Sequence, residues 1–87
     1  METLSFKERK NSDGFDLYNE REKVGEVTFI KINPDAISIN HTFVDERFRG
    51  NGYGKLLVEK VRELAQDKNW KLSATCWYAD EVIQSYE

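Results

Sequence analysis

The apolar residues of this chain follow a two-residue spacing up to Val44 and a helical spacing from Tyr53 onward, and the stretch between them, residues 45–54, is polar and rich in glycine. Strand faces repeat every two residues and helix faces every 3.6, so this one change of period divides the chain into a strand-built half and a helix-bearing half. In the first half, residues 4–9 alternate, with Leu4 and Phe6 on one side, and residues 15–19 alternate again. Residues 24–32 are rich in β-branched side chains, and residues 36–44 place Ile37, Ile39, His41 and Phe43 on one face. Turn chemistry separates these runs. Asn11-Ser12-Asp13-Gly14 and the charged residues 20–23 are turns, and Asn33-Pro34-Asp35 ends a strand because proline cannot donate to a ladder. Four strands joined in this way predict an antiparallel meander.

Beyond the glycine-rich stretch, Leu57, Val61, Leu64 and Ala65 fall on one helical face, and Asp67-Lys68-Asn69 ends that helix. Residues 70–76 alternate once more. Residues 77–86 fit a short closing helix with Val82, Ile83 and Tyr86 toward the core. The predicted order is β-β-β-β-α-β-α. Its strand–helix–strand unit over residues 36–76 requires a right-handed crossover between parallel strands, so the class is α+β with a mixed sheet. A chain of 87 residues is expected to form one domain, residues 1–87, burying about 60% of its unfolded surface.

Charge narrows the partners. The net charge is −3, and basic residues are interspersed with acidic ones, which argues against a nucleic-acid partner. Cys76 is the single cysteine, so no intramolecular disulfide and no cysteine-based zinc site is expected. No apolar run at the start resembles a signal peptide, and none approaches the roughly 18 residues of a membrane span. A soluble, cytoplasmic protein without membrane or metal is the expectation; the pattern fixes no oligomeric state.

Arg49-Gly50-Asn51-Gly52-Tyr53-Gly54-Lys55 joins a strand to a helix. Glycines there let backbone N–H groups converge, and the following helix adds its unpaired N–H groups and the positive end of its dipole, which suits a phosphate. The spacing excludes a Walker loop, since three residues rather than four separate Gly50 from Gly54-Lys55 and Leu56 follows. It is one residue short of the Rossmann pattern as well. An ordinary strand-to-helix loop is the alternative, and Lys55 reads as a solvated lysine or as a phosphate contact.

Arg49-x-x-Gly52-x-Gly54 resembles the Arg/Gln-x-x-Gly-x-Gly/Ala signature of the GNAT superfamily of N-acetyltransferases, in the same strand–loop–helix setting. His41-Thr42-x-Val44, the Arg49-Gly50 loop and Cys76 are similar to a subfamily of very small GNAT-like proteins, over roughly residues 14–80. The resemblance implies a GNAT-like sheet and acetyl-CoA as cofactor. Residues Arg49, Gly50, Asn51, Gly52, Tyr53 and Gly54 would wrap the diphosphate of coenzyme A, and Phe43 and Val44 would lie along its pantetheine arm. The strands there splay, leaving amides for the arm to pair with and an N–H to polarise the thioester carbonyl.

The same resemblance makes Cys76 and His41 the expected catalytic pair, provided the two strand faces coincide. A neighbouring base and a helix N-terminus both favour a thiolate, which would carry the acetyl group to a primary amine of a small molecule or protein. Direct attack by the amine is the rival route. A structural histidine and a small buried cysteine are the plain readings of the two residues. Tyr78 is a candidate general acid with packing as its alternative, and Trp70, Trp77 and Phe48 read as core or cofactor-edge packing. The chain lacks the acceptor-building helices that follow the first strand of longer relatives. A non-catalytic CoA or acyl-CoA-binding module acting with a partner protein is therefore the competing function.

Overall fold

Five strands and two helices, in the expected order, make up the computed structural model, which describes residues 3–85. The strands are β1 (Leu4–Glu8), β2 (Gly14–Asn19), β3 (Glu22–Asn33), β4 (Ala36–Val44) and β5 (Lys71–Ala74). A 3-10 turn (Glu46–Phe48) and α1 (Tyr53–Lys68) lie between β4 and β5, and α2 (Trp77–Gln84) closes the chain. One sheet runs β1-β2-β3-β4-β5, antiparallel up to β4, with β4 and β5 parallel. It is the expected mixed α+β sheet.

The helices share one face of the sheet. Leu57, Val58 and Val61 of α1 are fully buried against Leu17, Val24, Val27, Ile37 and Ile39, and Ala79 brings α2 into the same core. Full burial of a side chain of this size contributes about 1.5–3 kcal/mol, so the apolar stripe of α1 anchors that helix more firmly than its propensity does. The helix stops at Asn69, whose left-handed backbone (φ 59°) lets its N–H reach the Ala65 and Gln66 carbonyls. Among the described residues no helix covers the opposite face, where Ile30, Ile32 and Phe43 are about half exposed. The expected core contact of Tyr86 lies outside the described residues.

One local feature overturns part of the sequence reading. Thr28 pairs with His41 but Phe29 pairs with Ile39, so Asn40 is an extra residue in β4. A bulge of this kind reverses the side-chain alternation beyond it. Ile37 and Ile39 face the core, whereas His41 and Phe43 turn to the open face opposite Thr28 and Glu26. Thr42 and Val44 take the core side instead, Thr42 opposite the buried Val27. The expectation that Ile37, Ile39, His41 and Phe43 share a face is therefore corrected. Thr28 Oγ1 donates to Asn40 Oδ1 at 2.6 Å and ties the bulge to β3.

Candidate functional site

The bulge coincides with the point where β4 and β5 part. Their last pair is Ile39 with Ala74. Beyond it the Thr75 and Cys76 N–H groups both donate to the Ile39 carbonyl, at 2.9 and 3.3 Å, and the chain turns into α2. Among the described residues, the rest of β4 continues without a strand on that side. Backbone groups of successive strand residues point to alternate edges. Asp45 N–H donates to the Val24 carbonyl at 2.8 Å, toward β3, so Val44 and Thr42 direct theirs to the edge that β5 has left. Such an edge can pair with the amides of an extended ligand.

A cleft of about 570 Å³ follows this edge, within the usual range for small-molecule sites. Thr42 and Val44 line it from β4, and Phe48, Arg49, Gly50 and Gly52 from the loop. Tyr53 and Gly54 of α1 face Cys76, Trp77 and Tyr78 across it. Side chains hold the loop in place. Asp45 accepts from the Arg47 N–H at 3.0 Å and pairs with its guanidinium, which also meets Glu22 at 2.6 Å. Hydrogen bonding from Arg47 holds the Asp45 carboxyl below its ordinary range. Asn51 Nδ2 donates to the Phe48 carbonyl at 2.8 Å.

At the entrance, charge and backbone favour an anion. Gly50 and Gly52 have φ of 90° and 77°, in the left-handed region, and Gly52 stands at the N-cap of α1 without a side-chain cap. No acidic residue occupies the first turn. The N–H groups and dipole of α1 therefore meet no competing carboxylate of that turn. Arg49 Nε donates to the Val44 carbonyl at 3.4 Å, and among the described residues Arg49 has no ion pair. Across the cleft, Tyr78 packs on Gly54 so closely that a Cβ there would stand 2.8 Å from the tyrosine hydroxyl. Burial, with a smaller effect from Glu81, raises the Tyr78 pKa, so the phenol keeps its proton.

The structure brings Val44, Arg49, Gly50, Gly52, Tyr53, Gly54 and Cys76 together at one cleft, and leaves three expected residues out of its lining. Asn51 pins the loop by its side chain. Phe43 lies on the open face, its ring parallel to that of His41 with centroids 6.5 Å apart. His41 lies there too, with Nε2 3.3 Å from Glu26 Oε2, so the expected meeting of His41 with Cys76 on one face does not occur. Glu26 also holds Lys23 at 2.7 Å and Arg9 at 3.8 Å; hydrogen bonding from Lys23 is the main cause of its lowered pKa. Thr42 is the lining residue that sequence reasoning misses, because strict alternation puts it on the wrong face. Its Oγ1 is buried and has no hydrogen-bond partner. Among the described residues no cluster of metal-ligating side chains occurs, and no helix is long and apolar enough to cross a membrane.

Comparison with known proteins gives concordant results. A family model described as GCN5-related N-acetyl-transferase matches residues 14–87. Protein NATD1 of Xenopus tropicalis is 26% identical over 53 residues, 61% of this chain and 49% of that protein, so the chain spans about half the length of this curated relative. A GCN5-like protein from Staphylococcus aureus, solved in solution, is 29% identical with a TM-score of 0.76 over 99% of this chain and 83% of its own. The fold also superposes on a GNAT family acetyltransferase from Elizabethkingia anophelis, a structure with acetyl-CoA bound (TM-score 0.70, 20% identity, 87% of this chain and 54% of that one).

Proposed function

Because the chain belongs to the GCN5-related N-acetyl-transferase family, we propose that residues 1–87 act as a minimal acetyltransferase domain that moves an acetyl group from acetyl-CoA to a primary amine. The observation that carries this reading is the cleft itself. A strand edge stripped of its neighbour runs from an uncapped helix N-terminus to a cysteine. The amides of residues 50–54, with Arg49, hold the diphosphate. The edge groups of Val44 and Thr42 pair with the pantetheine arm, in the way an added strand would. The thioester then lies between β4 and Cys76.

In this reading Cys76 and His41 act from opposite sides of the parted strands. The Cys76 sulfur attacks the thioester carbonyl, and its proton leaves with the coenzyme A thiol. The acceptor amine enters from the open face, where His41, steadied by Glu26, takes the proton that the amine loses on attacking the acetyl-cysteine. Tyr78 places a neutral phenol in the cleft, and among the described residues no carboxylate lines it.

The test is rapid-quench intact-mass measurement after mixing with acetyl-CoA, followed by amines of several classes. One added acetyl group, absent from Cys76→Ala and discharged by an amine, is the expected result. Turnover without the adduct would replace the covalent route by direct attack. Binding with neither adduct nor turnover would leave a non-catalytic acyl-CoA-binding module.

A further inference from the structure

We propose that Arg47 is a positioning residue for the cofactor loop, clamping it to the start of β3 through Glu22, a role that rests on the acetyl-CoA reading above. Two arginines stand two residues apart here and are used differently. Arg49 lines the cleft, whereas Arg47, Asp45 and Glu22 do not. The Arg47 guanidinium is instead shared between two carboxylates. Its Nε meets Asp45 Oδ1 and its Nη2 meets Asp45 Oδ2, both at 3.2 Å, and Nη2 meets Glu22 Oε1 at 2.6 Å. Asp45 is the N-cap of the 3-10 turn, and Glu22 is the first residue of β3. The clamp therefore crosses from the loop to a strand of the sheet, and the charge of Arg47 is neutralised within the fold.

The loop needs such a clamp. Gly50 and Gly52 hold positive φ, and a Cβ on either would meet nothing within 4 Å, so no neighbouring atoms crowd them into place. Glycine also loses more conformational freedom on ordering than any other residue. Constraint has to arrive from the flanking turn. The Arg47 guanidinium lies over the Phe48 ring, 5.1 Å from its centroid, and the Phe48 carbonyl accepts from Asn51 Nδ2 at 2.8 Å. Contacts thus run from Glu22 through Arg47 and Phe48 to Asn51, which stands between the two glycines. Holding that path fixed beforehand reduces the ordering that binding must accomplish. The planar fork of an arginine on a carboxylate restricts the turn more than a single-point contact does.

Glu22→Ala tests the clamp because charge and positioning predict opposite signs for it. Removing a carboxylate from a chain of net charge −3 should, by charge alone, tighten binding of a polyanionic cofactor. The clamp predicts the reverse: calorimetry should find coenzyme A bound about two- to fivefold more weakly, the range of a networked surface pair. Arg47→Lys keeps the charge but not the fork and should weaken binding similarly. The double variant should be no weaker than the worse of the two single ones, because both remove the same contact. In the ligand-free protein, backbone order parameters of residues 47–54 should fall in Glu22→Ala while those of residues 57–65 hold. Equal or tighter binding by Glu22→Ala, additive losses in the double variant, or unchanged order parameters would overturn the assignment. A parent that binds no coenzyme A would instead defeat the acetyl-CoA reading, and the order parameters would still decide whether the clamp holds the loop.

Discussion

Gly50 and Gly52 show at the scale of single residues how backbone freedom makes the site. Both hold positive φ, and a Cβ built on either meets nothing within 4 Å, so a side chain there would be opposed by conformation alone. For an L-residue that conformation costs about 1–2 kcal/mol. Gly52→Ala should accordingly lower unfolding free energy by about 1 kcal/mol, a drop of roughly 4–8 °C in a domain of this size. It should also weaken coenzyme A binding more than the stability loss alone explains, because the amides at the helix entrance are re-aimed. Thermal melts and ligand titration of the same variant check both parts. These glycines are readable in the sequence because a positive φ selects their residue type. Asn40 is not, since an added residue leaves a strand's composition unchanged while reversing every side chain after it. That is why His41, Phe43 and Thr42 exchange faces between sequence and structure.

Among the elements, β3 carries more than packing. Its Glu26 is the centre of the ionic cluster on the open face, meeting Lys23, Arg9 and His41, with Asp16 on β2 facing Lys23 at 3.3 Å and Arg9 at 3.1 Å. Hydrogen bonding from Lys23 depresses the Glu26 pKa below its unfolded value of 4.5. The carboxylate therefore contributes stability that is present above that pH and is lost as the pH falls through the folded value. The groups are partly exposed, so the contribution is about 1 kcal/mol or less. Glu26→Gln should reduce stability near neutral pH by that amount and converge with the parent below the folded pKa, as followed by denaturant titrations across the acid limb. The strands and helices themselves are readable from periodicity and turn residues. β5 is shorter than the alternating run over residues 70–76 suggests, because Thr75 and Cys76 give their N–H groups to one carbonyl and leave the ladder. Periodicity records a face; it does not record where a partner strand departs.

Across the whole molecule, the sheet is covered on one side and open on the other, and the two catalytic candidates stand on different sides of it. The sequence pattern is enough to anticipate the fold, from its periodicity, and the glycine-rich loop that lines the cleft. It is not enough to place His41, whose side depends on the bulge. The chain spans about half the length of its curated relative. In the proposed account acceptor recognition falls to the open face, where Phe43 and His41 lie beside the Glu26 cluster. The central claim is that the entrance of α1 grips coenzyme A by its diphosphate while the edge of β4 pairs with its pantetheine arm. Calorimetric titration of the intact chain with coenzyme A and, separately, with pantetheine tests it directly. Saturable 1:1 binding of coenzyme A, with pantetheine at least about tenfold weaker for want of the charge-assisted contacts, is the predicted result. No heat with coenzyme A, or equal affinity for both ligands, would contradict it.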